Sequence, residues 1–195
     1  MGRVVTFAIA CALFALAAGC SSPSVKYYTL SAVAPPASTT SQIAVAVGPV
    51  AVPSVVDRAQ IVVTTSANQV TVDDFNRWAS PVQDSVERAV AENLVALLGT
   101  RRVTLVESSL GADAEYRVQI EVRNFESAPG KYASLDAVWT VRRLKDRKTE
   151  TGRTTVREQV EGEGYEALAA AHSRGIAKMS REIADTVRML AGSAA

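Results

Sequence analysis

The sequence predicts an α+β fold, a single domain in which a mixed, mostly antiparallel sheet carries two helices on one face. Three observations lead to this prediction. Two long segments repeat apolar residues at helical spacing, shorter segments have the residue patterns of strands, and these segments follow the order β-β-β-α-β-β-β-β-α. A chain of 195 residues with a net charge of +1 and 48% hydrophobic residues is typical of one globular domain.

The first predicted strands precede the first helix. Residues 43–52 (IAVAVGPVAV) and 60–66 (QIVVTTS) are β-branched runs separated by a loop that contains proline, and residues 69–73 (QVTVD) follow them. Closer to the N-terminus, Tyr27–Leu30 (YYTL) is expected to form a short edge strand. A linker rich in Pro, Ser, Thr and Ala, without hydrophobic periodicity, connects this strand to the domain.

Two helices are predicted from their boundaries and apolar stripes. In the first, Ser80–Gln83 matches a capping box with proline at the first helical position, and Gly99 marks its end. The second is expected from about Tyr165 to Leu190. The residues predicted to face the core are Val82, Val86, Val90, Leu94 and Leu97 in the first helix, and Leu168, Ile176, Met179, Ile183, Val187 and Leu190 in the second.

Two strands between the helices alternate most clearly. The residues predicted to face the core are Tyr116, Val118, Ile120 and Val122 in one strand, and Leu135, Ala137, Trp139 and Val141 in the next. Polar side chains occupy the positions between them, with Val138 the exception. One face of the sheet is therefore expected to be buried and the other exposed to solvent. Trp139 is therefore predicted to be a core residue rather than part of a binding site.

The N-terminus has the pattern of an export signal. Arg3 is the only charged residue before Cys20, and residues 4–18 form an apolar run of about 15 residues, shorter than the roughly 20 that a membrane-spanning helix needs. Leu16–Cys20 (LAAGC) looks like the lipobox of bacterial lipoproteins, in which the cysteine receives a diacylglycerol and an N-acyl chain. We therefore expect Cys20 to be the lipidated N-terminus; the alternative is an ordinary secretory signal with a chance cysteine.

Three regions follow from these patterns. Residues 1–19 are the predicted signal peptide, residues 20–41 the lipidated N-terminus with the edge strand and linker, and residues 42–191 the α+β domain. Removal of Arg3, one of 21 basic residues, leaves 20 basic and 20 acidic side chains, so the lipid rather than charge is expected to tether the protein. Because seven extended residues span at most about 25 Å, the tether should hold the domain close to the membrane.

Catalytic chemistry is not expected. The only cysteines, Cys11 and Cys20, precede the folded domain, which excludes disulfides, thiolate metal sites and cysteine nucleophiles within it. His172 is the only histidine, lies beside the apolar stripe of the second helix and is expected to be packed there. The near-neutral charge argues against nucleic acid as a partner. We expect no enzyme activity, no metal and no cofactor apart from the covalent lipid on Cys20.

The segment between the first two long strands is unusual because it stays aliphatic where loops are usually polar. It reads VPSVVDRAQ over residues 52–60. Either Val55 and Val56 lie under the sheet edge, or they are exposed to contact another chain or lipid. With the adjacent Asp57 and Arg58 they form the candidate partner-binding set, and on the second reading a double change of both valines to serine should leave folding almost intact.

Taken in order, several of these segments resemble one known family. The lipobox, YYTL, VGPVAVPSVVDRAQIVV, RWASPV at residues 77–82, LDAVWTV at residues 135–141 and an alanine-rich last helix are similar to the PqiC family, the ABC-type transport auxiliary lipoproteins. The resemblance covers nearly the whole chain after Cys20. It rests most on Val52–Pro53 with Asp57–Arg58, on Arg77–Trp78 with Pro81, and on Ala137 with Trp139.

The resemblance implies an outer-membrane lipoprotein that faces the periplasm. Such a protein works with MCE-domain transport proteins, which carry lipids between the two membranes, contributes to membrane integrity and has no catalytic residues. Ser21 follows the lipidated cysteine. The absence of Asp at this position resembles the default pattern of lipoproteins that are sent to the outer membrane. A homo-oligomer is compatible with this reading. The alternative is an envelope assembly or integrity lipoprotein that does not itself take part in lipid transfer.

Overall fold

The computed structural model describes residues 24–108 and 113–192. The predicted signal peptide and Cys20 lie outside these residues. The strands are β1 (Lys26–Tyr28), β2 (Val45–Ala51), β3 (Gln60–Ser66), β4 (Gln69–Trp78), β5 (Val103–Leu105), β6 (Tyr116–Ala128), β7 (Tyr132–Arg143) and β8 (Thr149–Gln159). The helices are α1 (Val82–Leu98) and α2 (Gly164–Gly192).

The α+β class is confirmed, and the strands are divided between two mixed sheets. The larger sheet has the order β5-β2-β6-β7-β8, in which β2 is parallel to both its neighbours and β6, β7 and β8 are antiparallel. The smaller sheet has the order β1-β4-β3, with β1 parallel to β4 and β3 antiparallel to it. The predicted edge strand at Tyr27–Leu30 is confirmed as β1.

Both helices pack against the larger sheet and against each other. Helix α1 contacts β2 and β5, whereas α2 contacts β6, β7 and β8. All the residues that the two helical stripes and the two alternating strands were predicted to bury are buried, Trp139 among them. The core therefore lies between the helix layer and the larger sheet, as the hydrophobic periodicity indicates. Among the described residues, no helix combines the length and the hydropathy needed to cross a bilayer.

The predicted capping box of α1 is wrong. Pro81 occupies the N-cap position and no side chain caps the helix. Because the helix begins at Val82, Ser80 lies one position before the N-cap, and its hydroxyl accepts a hydrogen bond from the Arg88 guanidinium at 3.3 Å. The predicted end is confirmed, since Gly99 adopts the left-handed conformation with φ of 62°.

The segment between β1 and β2 has no regular secondary structure, but hydrogen bonds hold it along α1. The Asn93 side-chain oxygen accepts from the backbone N–H groups of Val33 and Ala34 at 3.1 and 2.9 Å. Further along, the Ala37 N–H donates to the Ala96 carbonyl at 2.8 Å. The predicted linker is thus packed against the domain, and β1 is fastened to the same rigid body.

Candidate partner-binding surface

The aliphatic loop at residues 52–59 separates its two adjacent valines. Val55 is 51% exposed, whereas Val56 is 8% exposed and belongs to the core. The Pro53 carbonyl accepts from the N–H groups of Val56 and Asp57 at 3.0 and 3.2 Å, which closes a tight turn. Val56 therefore lies under the sheet edge, as the first reading of the sequence has it, whereas Val55 is exposed, as the second requires. The expectation that serine at both positions would leave folding almost intact is wrong for Val56, because its side chain is packed.

A small groove lies between this loop, the β3–β4 hairpin (residues 60–78) and the middle of β6. Its volume is about 140 Å³. The lining residues are Pro53, Val55, Val56, Val62, Thr64, Val70, Arg123, Asn124, Phe125 and Glu126. Sites for drug-sized ligands occupy roughly 300 to 1,000 Å³, so this groove suits one or two side chains of a protein partner better than a whole small molecule.

Two charged side chains flank the exposed valine and have no internal partner. Asp57 and Arg58 are both exposed, and neither side chain makes a hydrogen bond or ion pair with any residue that the structure describes. The two charged side chains that line the groove do have internal partners. Arg123 pairs with Glu121 at 3.5 Å, and Glu126 accepts a hydrogen bond from the Tyr132 hydroxyl at 2.7 Å. Asp57 and Arg58 are therefore the charges of this surface that are available for a contact with another chain.

The exposed apolar surface continues onto the hairpin. Val70, Val72 and Phe75 are large apolar residues of β4 that remain exposed. Val70 is paired with Thr64, and Val72 with the buried Val62, so all four lie on the sheet face that lines the groove. Sequence reasoning missed Val70, Val72 and Phe75 as surface residues. The available signal was the absence of charged residues from position 59 to position 72.

A buried serine–histidine pair could be mistaken for a catalytic site. The Ser127 hydroxyl and His172 Nε2 are 2.8 Å apart, and each residue is 2% exposed. The imidazole stacks on Phe125 with a ring separation of 3.9 Å and meets the edge of Trp78. Burial lowers the pKa of His172 to about 3, which keeps the ring neutral. The histidine is packed in the core, as predicted.

A second polar cluster joins β1, β4 and the start of α2. The Tyr165 hydroxyl donates to Asp73 at 2.6 Å, Asn76 donates to the same carboxylate at 3.0 Å, and the Tyr28 hydroxyl donates to Asn76 at 2.8 Å. Burial and the hydrogen bond to Asp73 raise the pKa of Tyr165. Burial alone would raise the pKa of Asp73, but the bonds from Tyr165 and Asn76 outweigh it and lower the pKa. The cluster fastens the N-terminal strand to the domain.

No metal centre is formed by the part of the chain that the structure describes: it contains no group of three or more His, Cys, Asp or Glu side chains that could hold an ion. Cys20, the predicted lipidation site, lies outside that part. The candidate surface that the structure describes is therefore the one around Val55, Asp57 and Arg58.

Comparison with known families agrees with this architecture. Residues 28–184 match the family described as the ABC-type transport auxiliary lipoprotein component. The chain belongs to this family. The resemblance to the PqiC-type auxiliary lipoproteins is confirmed, and the match includes the whole of α1, α2 as far as residue 184, and the loop at residues 52–59.

Solved structures share the fold of this auxiliary lipoprotein at low sequence identity. The crystal structure of an uncharacterized protein is similar with a TM-score of 0.68 and 20% identity, and the similarity covers 84% of this chain and 99% of that one. A protein from Xanthomonas campestris is similar with a TM-score of 0.65 and 19% identity, over 81% and 92% of the two chains. No curated protein matches the sequence significantly.

Proposed function

We propose that this auxiliary lipoprotein is an outer-membrane-anchored, periplasmic and non-catalytic subunit of an MCE-type ABC lipid transport system. It docks the lipid conduit at the outer membrane and thereby contributes to membrane integrity. Membership of the ABC-type transport auxiliary family supports a role beside a transporter. The lipobox at Leu16–Cys20 supports a lipid anchor on Cys20.

The observation that carries the docking role is the surface around Val55. An exposed valine beside a groove, with Asp57 and Arg58 unpaired next to it, has the composition of an interface, in which apolar contacts lie inside a charged rim. The groove accepts side chains rather than a whole lipid, so the surface contacts the protein that carries the lipid. The buried positions of Ser127 and His172 support a non-catalytic role, because substrate cannot reach them.

Recovery of partners from detergent-solubilised membranes tests this proposal. The tagged wild-type protein should recover an MCE-domain protein, and the native complex should contain lipid. Val55→Ser and Arg58→Ala should each reduce the recovery without lowering the melting temperature. For Arg58 the loss should be about 2 kcal/mol or more of binding free energy if its guanidinium is buried in the interface.

Val95→Ser is the matched control, because Val95 is an exposed valine on α1, away from the groove. It should leave recovery unchanged. Equal loss with all three variants would show that the surface around Val55 has no special role. Recovery of envelope assembly proteins in place of any MCE-domain protein would favour the alternative, an integrity lipoprotein that does not take part in lipid transfer.

A further inference from the structure

The smaller sheet carries much of the apolar surface that the described residues expose. Tyr27 on β1 and Val70, Val72 and Phe75 on β4 are all exposed, and so is Val25, directly before β1. By contrast, each helix exposes one large apolar side chain. Exposed apolar residues that are concentrated in one sheet indicate a contact surface, whereas scattered ones need no explanation.

The β3–β4 hairpin also lacks charge along β3, its turn and the first part of β4. No Asp, Glu, Lys or Arg occurs from residue 59 to residue 72, in a chain in which 21% of residues are charged. The nearest charges are Arg58 on one side and Asp73 on the other. A charged side chain is costly where it must enter a bilayer, whereas the transfer of valine and isoleucine into it is favourable. The composition of the hairpin therefore suits contact with lipid.

The register of β1 shows where the lipid anchor lies relative to the hairpin. Lys26 is opposite Asn76 in a parallel pair, so the chain that precedes Lys26 leaves the sheet on the side of the hairpin turn. From Asn76 back to Gln69, at the turn, β4 extends at most about 24 Å. The six-residue step from Cys20 to Lys26 reaches at most about 20 Å. These two lengths are similar, so the anchor point and the turn can lie at nearly the same height relative to a membrane.

Strand β1 is held firmly against β4 and the second helix. The Tyr28 carbonyl accepts from the Ala79 N–H at 2.8 Å, and the Tyr28 hydroxyl donates to Asn76 at 2.8 Å. Directly after the strand, the Ser31 N–H donates to the Ser173 hydroxyl on α2 at 3.1 Å. The chain that carries the anchor therefore always leaves the domain from the same edge of the smaller sheet.

We propose that the β3–β4 hairpin rests on the lipid bilayer that holds the anchor, as a second, non-covalent membrane contact. Val70 and Val72 lie in the interfacial region, with Asp73 at its aqueous edge. The inference rests on the proposed lipidation of Cys20. Once the anchor is inserted, hairpin contact is effectively intramolecular, so a weak interaction is sufficient. Because Val70 also lines the groove beside Val55, a partner bound there would lie at the membrane surface.

A tryptophan probe in the hairpin turn tests the contact. The chain from Cys20 onward has Cys20 as its only cysteine, so its thiol can be coupled to vesicles of phosphatidylcholine that contain a maleimide-headgroup lipid. Asn68→Trp places the probe in the turn, and the emission of Trp78 and Trp139 is subtracted with the unmodified chain. With brominated acyl chains in the vesicles, the Asn68→Trp emission should shift to shorter wavelength and be quenched after coupling.

Two control pairs make the result specific. Met189→Trp, an exposed position on α2, should not be quenched. In the Asn68→Trp background, Val72→Asp should abolish quenching, whereas Val95→Asp should not. The two valines are matched because each is 37% exposed. The melting temperature of each variant shows whether it is folded.

Quenching of Asn68→Trp that does not exceed that of Met189→Trp would overturn the proposal. So would a blue shift that rises with protein density but is insensitive to bromine, because a second copy would then cover the hairpin. The vesicles contain no partner protein, so this test does not depend on the docking role. The thiol is coupled chemically, so the test does not depend on lipidation in the cell either.

Discussion

The contact between Trp139 and Gly152 allows a quantitative test of the core. The two residues are opposite each other on β7 and β8, and a Cβ atom added to Gly152 would lie 2.2 Å from the Trp139 ring. Trp139 is 6% exposed, and its indole N–H donates to the Thr154 hydroxyl at 2.9 Å. The indole thus occupies the space that the missing side chain of Gly152 leaves open.

Three variants follow from this geometry. Trp139→Ala should lower the free energy of unfolding by about 3 to 5 kcal/mol, because it leaves a cavity and removes a hydrogen bond from Thr154. Gly152→Ala should cost about 1 to 3 kcal/mol, because the new methyl group overlaps the ring. In the Trp139→Ala background the methyl group has room, so the double variant should be more stable than the sum of the single effects by about 1 to 3 kcal/mol.

Urea unfolding followed by far-UV circular dichroism measures all four proteins of this cycle. An unchanged midpoint for Trp139→Ala would refute the core assignment of the indole. Additive effects, within about 0.5 kcal/mol, would show that the ring does not fill the space above Gly152 even if both residues matter. A variant that does not fold at all can be compared in the presence of a stabilising osmolyte, which acts on all four proteins alike.

Three further predictions concern the anchor, the loop and the buried histidine. Cys20→Ala should leave the protein soluble or retained at the inner membrane and inactive, and fractionation with the outer membrane would contradict this. Val56→Ser should lower the free energy of unfolding by roughly 1 to 3 kcal/mol because a hydroxyl enters the core, whereas Val55→Ser should not change the urea midpoint. His172 has a pKa of about 3 in the folded state and 6.5 as its ordinary value, so below pH 6.5 only the unfolded state takes up its proton. Stability should therefore fall with decreasing pH by up to about 1.4 kcal/mol per unit, and His172→Gln should flatten this slope between about pH 6.5 and 4.5; an unchanged slope would contradict the assignment.

The sequence alone was sufficient where the signal is local. The alternation from Tyr116 to Val122 and the spacing of Val82, Val86 and Val90 identify the buried faces correctly, because the periods of strands and helices are properties of consecutive residues. Gly99 likewise ends α1 as predicted, since the left-handed conformation there favours glycine. The family followed from motifs in order along the chain and is confirmed.

Tertiary structure decided what depends on distant partners. Val55 and Val56 are chemically identical neighbours in an irregular turn, so no period distinguishes the exposed one from the buried one; only packing against the hairpin and β6 does. The strands divide into two sheets, which no local pattern indicates. The parallel pairing of Lys26 with Asn76 joins segments that are about fifty residues apart in the chain. The sequence therefore determined the two helices and the buried faces of these helices and of the two alternating strands. The direction in which the chain before β1 leaves the domain depends on strand pairing, which is set by the assembled core rather than by any local run of residues.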